Sequence, residues 1–151
     1  MNLNFKNKTI FFIIAILLFT IDQYSKSLIN VNYINLANKD FIIFTLENVR
    51  NNGAAFNILS GNRLLLSLIS LISSFIFIYF IFMKDTNILN KYGLSFILAG
   101  SLGNGSDRII NGEVIDFIKL KFINFPVFNL ADIFINIGIF IIILGYLKYK
   151  K

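Results

Sequence analysis

The segment from Leu64 to Met83 contains twenty residues and not one charged side chain. At about 1.5 Å of rise per residue, an α-helix of this length crosses the hydrocarbon core of a bilayer, which is about 30 Å thick. Composition agrees, because only 15% of the 151 residues are charged, against about 25% in a typical soluble domain. The sequence therefore predicts an integral membrane protein.

Three further apolar segments are candidates for membrane-spanning helices, and the third span is short and rich in Gly. The predicted spans form a single integral membrane domain over residues 1–151 and lie at about 9–28, 64–83, 92–106 and 129–147. Lys6 and Lys8 give the first segment the basic start of a signal peptide, but no small-x-small cleavage site follows Ile21. We therefore expect the first segment to be retained as a helix.

Four spans place both chain termini, together with the short Lys84–Lys91 loop, on the same side of the membrane. Each side then carries seven basic residues, so the raw count does not decide the orientation. The segments on the terminal side are much shorter, and the positive-inside rule gives most weight to short loops. We therefore predict cytoplasmic termini. Seven of the eight acidic residues then lie at or beyond the outer face: Asp22, Asp40, Glu47, Asp107, Glu113, Asp116 and Asp132.

The two outer connections contain short β-strand patterns. The segment Phe41–Leu46 is a β-prone run, and Asn51-Asn52-Gly53 after it supplies a turn or a bulge. Apolar and basic residues alternate from Ile118 to Phe122, which is typical of a half-buried strand. We therefore expect a mainly α membrane protein: four transmembrane helices with a small extracytoplasmic β-sheet that lies on the outer membrane face.

The chain contains no Cys and no His, which removes several kinds of active site. Disulfides, thiol nucleophiles, the Ser-His-Asp triad and the zinc-binding HExxH motif each need one of these residues. We expect neither a metal nor another cofactor, and a hydrolase of this composition must use carboxylates or a Ser-Lys pair. The net charge of +6 comes from cations at the edges of apolar segments, so we expect no nucleic-acid partner.

Charged residues at the ends of the first and third spans are candidates for a functional site, because such groups are costly in a membrane. Asp22 and Lys26 are one helical turn apart and share a helix face, so they form either a self-contained interfacial ion pair or part of a site. Asp107 and Arg108 close the third span, and Asn104 shares the face of Arg108 if the helix persists. Plain helix–helix packing is the alternative for this second group.

Asp116 and Asp132 are the strongest catalytic candidates when they are considered together. Singly, Asp116 is explained as a strand residue that faces water, and Asp132 as a residue that stabilises a helix N-terminus. Both, however, fall at the outer interface on segments joined by the short Ile123–Val127 connection. Two carboxylates near one water share a proton and divide into an acid and a base, as in aspartic proteases. This pair needs no His, Cys or metal.

Three other functions are compatible with parts of the pattern. A proton-coupled transporter could use Asp22, Asp107 and Asp132 as a relay, although these acids cluster at one face and Asp116 is left without a role. A presenilin-like protease needs Gly-x-Gly-Asp, and the segment Gly103–Asp107 has one residue too many. A Ser-Lys protease with adjacent Ser and Lys at positions 25 and 26 fails because neighbouring helical residues diverge by about 100°.

Five short motifs follow one another along the chain: Asp22-Gln-Tyr-Ser-Lys26, Asn51-Asn-Gly-Ala-Ala-Phe56, Gly103-Asn-Gly-Ser-Asp-Arg108, Val114-Ile-Asp-Phe117 and Phe128-Asn-Leu-Ala-Asp132. Each motif is weak alone, but the five in this order on a four-span chain are highly specific. Together they resemble the lipoprotein signal peptidase family, the type II aspartyl endopeptidases of the bacterial cytoplasmic membrane. The resemblance covers the whole chain.

The resemblance implies that Asp116 and Asp132 are the catalytic pair. It implies supporting or substrate-binding roles for ten further residues: Asp22, Lys26, Asn51, Gly53, Gly100, Asn104, Asp107, Arg108, Asn129 and Ala131. Asn104, Asn129 and Arg108 are candidates either to orient the carboxylates or to stabilise charge on the carbonyl oxygen. The family usually has Gly-Gly where this chain has Ala99-Gly100, followed by Ser101, so we expect different packing there and the same chemistry.

The family acts on prolipoproteins whose Cys already carries a diacylglyceryl group, and it cuts just before that Cys to free the signal peptide. By resemblance we expect lipid-modified prolipoprotein signal peptides and membrane lipid as partners, a monomeric enzyme, and an active site at the outer face. An interfacial site between tilted helices gives such a peptide sideways access while its acyl chains stay in hydrocarbon. The outer sheet can then hold the exposed part of the peptide.

Overall fold

The computed structural model describes residues 5–31, 39–54, 59–83 and 86–149, with side chains from residue 8 onward. Within these described residues there are four helices and two strands, in the chain order α1 (Phe5–Val31), β1 (Phe44–Asn51), α2 (Arg63–Phe82), α3 (Ile88–Ile110), β2 (Val114–Leu120) and α4 (Leu130–Tyr149). Some predicted features lie outside the described residues: the Ala55 and Phe56 positions of the second motif, Lys84 and Asp85 of the terminal-side loop, the side chain of Lys6, and the terminal Lys150 and Lys151.

Three of the helices are long and apolar enough to cross a membrane, within the part of the chain that is described. These candidate spans are Lys8–Val31, Arg63–Phe82 and Leu130–Tyr149. Helix α3 is not among them, although its 23 residues would extend about 35 Å. Its sequence carries Gly and charged residues because much of its surface packs against protein, where a uniformly apolar surface is not required. The fourth predicted span therefore stays a prediction.

Helix α3 is the central element of the bundle, since α1, α2 and α4 all pack against it. It approaches α4 most closely where both helices have Gly. A Cβ atom on Gly93 would lie 2.7 Å from the carbonyl oxygen of Gly138, and one on Gly138 would lie 2.6 Å from that of Gly93. A buried apolar cluster joins α1, α2 and α3 and contains Phe11, Ala15, Ile81, Leu94 and Leu98.

The helices run alternately up and down, so one end of the bundle carries the first residues of α1 and the last residues of α4. At that end Lys8 donates a hydrogen bond to the carbonyl oxygen of Phe82, with an N–O distance of 3.1 Å. Gly145 of α4 lies there against Asn87 and Asn90 at the start of α3. The sheet and the acidic residues described below lie at the opposite end.

Strands β1 and β2 form a two-stranded antiparallel sheet in which Phe44 pairs with Leu120 and Val49 pairs with Asp116. The prediction that the first strand begins at Phe41 is wrong, because residues 40–45 form a tight turn: the backbone N–H of Phe41 donates to the carbonyl oxygen of Phe44 over 2.9 Å, and Asp40 forms an isolated bridge with Thr45. An irregularity in the register lies between Leu46 and Val49.

The connection after β2 returns along that strand, since Phe128 forms an isolated bridge with Ile118. This return brings the start of α4 next to the middle of β2. The predicted turn after β1 is confirmed: the backbone N–H of Gly53 donates to Oδ1 of Asn51 over 2.9 Å. The turn, β2 and the start of α4 therefore meet at one place, beside the C-terminal half of α3.

Candidate active site

Asp116 lies on β2 with only 3% of its surface exposed, which excludes the interpretation of it as a strand residue that faces water. Its Oδ2 accepts a hydrogen bond from Nδ2 of Asn51 at 2.8 Å, and its Oδ1 accepts one from Nδ2 of Asn129 at 2.7 Å. Burial, with a smaller contribution from the negative charge of Asp132, raises the pKa of Asp116 to about 6 against the lowering effect of these hydrogen bonds.

Asp132 occupies the first turn of α4 and forms a reciprocal cap with Asn129. The backbone N–H of Asn129 donates to Oδ2 of Asp132 at 3.2 Å, while that of Asp132 donates to Oδ1 of Asn129 at 3.0 Å. This is a capping-box arrangement, which satisfies two otherwise unpaired N–H groups. The other oxygen, Oδ1, accepts from Nδ2 of Asn104 at 2.8 Å, so the capping role leaves half of the carboxylate for the site.

Two asparagine amides connect the carboxylates. The Nδ2 group of Asn129 donates to Asp116 and also, at 3.0 Å, to Oδ1 of Asn104. Asn104 in turn donates to Asp132. The sequence motifs named all four residues, and the structure brings them into one continuous hydrogen-bonded chain.

Both carboxylates border a cavity of about 560 Å³. Its other walls are mainly apolar and come from the segment that follows β2 and from one face of α4: Leu120, Ile123, Phe125, Pro126, Val127, Phe128, Ile133, Ile135 and Ile137. A second cavity of about 310 Å³ includes Arg50 and Asn52 and is thus more polar at that end. The two cavities share Asn51, Asp116, Pro126 and Val127.

A buried ionic cluster lies behind Asn104. The ammonium of Lys26 is 2.8 Å from Oδ2 of Asp22 and 2.6 Å from Oδ2 of Asp107, and Lys26 and Asp22 are 2% and 0% exposed. The ion pair predicted from the spacing of Asp22 and Lys26 is confirmed, but it is not self-contained and not at a solvated interface. Oδ1 of Asp22 also accepts the backbone N–H of Ala131 on α4 at 2.9 Å.

Arg108 is buried and directs its guanidinium at backbone carbonyls. Its Nη2 donates to the carbonyl oxygen of Gly53 at 2.6 Å, and its Nη1 donates to that of Asn104 at 3.2 Å. Because α3 continues to Ile110, the expectation that Asn104 and Arg108 share one helix face is confirmed. Arg108 therefore fastens the turn that follows Asn51 to α3.

Gly100 and Ala131 do not line the cavities; they form the contact between α3 and α4. A Cβ atom on Gly100 would overlap the carbonyl oxygen of Ala131. Their role in the site is therefore indirect, because this contact sets the distance between Asn104 on one helix and Asp132 on the other.

Two residues with clear roles were missing from the predicted set. Nε2 of Gln23 donates hydrogen bonds to Oδ2 of Asp22 at 3.2 Å and to Oδ1 of Asp107 at 3.1 Å. Its position in the first motif is the signal that could have identified it. Arg63 donates to the carbonyl oxygens of Arg108 and Ile109, at 2.8 and 2.5 Å, and so stabilises the C-terminus of α3. Nothing in the local sequence indicates this long-range contact.

The comparison with known proteins assigns the chain to a family. A model of the signal peptidase (SPase) II family matches residues 14–148. The chain belongs to the signal peptidase II family. Membership makes it a protease of bacterial membranes, which replaces the transporter hypothesis.

Individual relatives in the signal peptidase II family agree over nearly the full chain. The lipoprotein signal peptidase of Gloeothece citriformis is 39% identical, with 93% of this chain and 91% of the relative covered. That of Lactiplantibacillus plantarum is 38% identical, with 92% and 95% covered. A solved bacterial membrane enzyme superposes with a TM-score of 0.84 at 34% identity, covering 95% of this chain and 90% of that one.

Proposed function

We propose that this signal peptidase II homologue removes the signal peptide from diacylglyceryl-modified prolipoproteins by cutting just before the lipidated Cys, with Asp116 and Asp132 as its catalytic pair. The observation that carries the proposal is that both carboxylates border one cavity and are connected through the side chains of Asn129 and Asn104. Two carboxylates in this relation can activate one water without His, Cys or a metal.

The two acids have different surroundings. Asp132 lies in the first turn of α4 and accepts hydrogen bonds from Asn104 and Asn129. Asp116 is buried, which raises its pKa to about 6, so it holds a proton more readily than a solvated carboxyl group does. We assign Asp116 as the acid and the second carboxylate, Asp132, as the base.

The reaction then follows a general acid–base course. Asp132 takes a proton from water as the oxygen attacks the peptide carbonyl carbon, and Asp116 gives its proton to the carbonyl oxygen. When the tetrahedral intermediate collapses, the carbon–nitrogen bond breaks and the proton held by Asp132 goes to the leaving amine. The hydroxyl proton of the intermediate returns to Asp116, which restores the starting state.

The apolar walls of the larger cavity fit a lipid-modified substrate. Ile133 and Ile137 lie on α4, which is long and apolar enough to cross a membrane, so the cavity adjoins the region that hydrocarbon would occupy. Acyl chains and the apolar part of a signal peptide can therefore reach Asp116 and Asp132 from the side.

The membrane arrangement that goes with this function has four spans, cytoplasmic termini and the active site at the outer face. The length of α3 and its packing against all three apolar helices support the fourth span. The first residues of α1 and the last residues of α4 lie at the end of the bundle opposite the sheet, as that arrangement requires. We propose a monomer, because one chain supplies both carboxylates.

The test is cleavage of a diacylglyceryl-modified precursor peptide by the purified protein in detergent micelles. Asp116→Asn and Asp132→Asn are expected to abolish cleavage while the proteins remain inserted and folded. Glu47→Gln is the matched control: it removes an acid that forms an exposed ion pair with Lys119 on the sheet, and it should keep normal activity. Normal turnover by either Asp variant would refute the assignment of the pair.

The same assay tests lipid recognition. The unlipidated precursor lacks the acyl chains that the apolar cavity would bind, so its kcat/KM is expected to fall by at least about tenfold, the effect of roughly 1.4 kcal/mol of lost binding. Equal cleavage of the two precursors would contradict the proposed role of the cavity in binding lipid.

A further inference from the structure

An ammonium group inside the bundle contacts the amide that faces Asp132. Nζ of Lys26 donates to Oδ1 of Asn104 over 3.0 Å, in addition to its contacts with Asp22 and Asp107. Lys26 is 2% exposed and does not line either cavity, so it has no direct contact with a substrate in them. Its connection to the site runs through Asn104.

The contacts of Asn104 allow one orientation of its amide. Its Oδ1 accepts from Lys26 and from Asn129, and its Nδ2 donates to Oδ1 of Asp132. A reversed amide would place its NH2 group against the ammonium of Lys26, which has donors only. It would also place its oxygen against the carboxylate of Asp132. Both contacts are repulsive.

We propose that Lys26 is a positioning residue that orients the Asn104 amide, so that a hydrogen-bond donor always faces the carboxylate of Asp132. The inference rests on the proposed function, since it concerns the base of that reaction. Asp22 and Asp107 hold the ammonium in place and balance its charge within the protein. The buried ionic cluster thus acts on the reaction through the direction of one amide.

The proposal has a consequence for the kinetics of catalysis. Without Lys26 the Asn104 amide is held less firmly, and its NH2 group no longer has a fixed position beside the carboxylate that activates water. Because Lys26 lines neither cavity, we expect its loss to lower kcat while KM changes little.

The decisive variant is the triple substitution Asp22→Asn, Lys26→Met and Asp107→Asn. Lys26→Met alone would leave two buried carboxylates without a cation and is expected to misfold. The triple variant buries no unpaired charge. It still changes the total charge near the site by one unit, so a comparison without the Asn104 amide is needed to separate loss of amide orientation from a Coulombic influence.

The measurement is kcat and KM for the lipidated precursor. We expect the triple substitution to lower kcat at least about tenfold and to leave KM within about twofold of wild type. A smaller fall in kcat, or a loss that appears in KM instead, in folded protein, overturns the proposal. Lys26→Arg keeps a cationic donor and should retain kcat to within about tenfold; a larger loss in that variant also overturns it.

A second comparison shows whether the effect passes through Asn104. In an Asn104→Ala background there is no amide to orient, so the triple substitution should no longer lower kcat. An unchanged loss of kcat in that background would assign the effect to another route and overturn the proposal. If the wild-type protein does not cleave the lipidated precursor at all, the proposed function fails; if it cleaves and the triple variant matches it, only this inference fails.

Discussion

Raising the pH should switch the enzyme off with a midpoint set by Asp116. Burial raises the pKa of this acid to about 6, and the proposed reaction needs its protonated form. About half of the enzyme then carries the proton at pH 6, about a tenth at pH 7 and about a hundredth at pH 8. We expect kcat/KM for the lipidated precursor to fall about fifty-fold from pH 6 to pH 8, and most steeply above pH 7.

The assay is initial-rate cleavage at low substrate concentration, because kcat/KM then reports the free enzyme. The variant Asn51→Ala tests the same assignment. It removes a hydrogen bond that lowers the pKa of Asp116, so the fall of kcat/KM with rising pH should occur at higher pH. A kcat/KM that does not change from pH 6 to pH 8 would refute the assignment of Asp116 as the proton donor. So would an Asn51→Ala variant in which kcat/KM falls at lower pH than in the wild type.

Two further substitutions test the elements that hold the site together. Arg108→Ala releases the turn at Gly53 from α3, and because a displacement of about 1 Å can cost 10²-fold, we expect kcat/KM to fall about a hundredfold. Near-normal kinetics would limit Arg108 to packing. Gly100→Ala forces a methyl group onto the carbonyl oxygen of Ala131, so thermal unfolding in detergent should show a loss of about 1–3 kcal/mol. Ser101→Ala, on the next residue, should change stability by less than about 0.5 kcal/mol, and equal losses would contradict this explanation.

The catalytic candidates could be predicted because they depend on local signals. A run of twenty residues without a charge indicates a membrane helix directly, and acids at the ends of apolar segments are easily recognised in the sequence. Asp116 and Asp132 also lie close in sequence, so a short connection was enough to place them together. The comparisons with relatives support the family that the five motifs indicated.

The extent of α3 was harder to predict. The apolar pattern indicated residues 92–106, whereas the helix covers Ile88–Ile110. Its N-terminus is stabilised by Asn87, whose side chain accepts from the backbone N–H of Asn90, and its C-terminus by Arg63 from another helix. Hydropathy measures how well a segment suits lipid, and α3 is mostly covered by protein instead.

The hydrogen-bond partners of the polar side chains in the site could not be predicted at all. The motifs indicated that Arg108 belongs to the site, and the expected partners were the carboxylates or the substrate. The structure instead gives Arg108 the carbonyl oxygens of Gly53 and Asn104. Likewise, the orientation of the Asn104 amide depends on Lys26 of α1 and on Asn129 and Asp132 at the start of α4. Such contacts follow from tertiary packing, which spacing along the chain does not encode.

A double-mutant cycle on kcat tests most directly whether Asp116 and Asp132 act as one catalytic unit. Single-turnover cleavage of the lipidated precursor would be followed for Asp116→Asn, Asp132→Asn and the protein that carries both substitutions. Residues that act together lose their combined effect when either is removed, so we expect about the same loss, of about 10⁴-fold or more, in all three variants. Losses that multiply in the double variant, or a single variant that keeps a tenth of wild-type kcat, would contradict the shared mechanism.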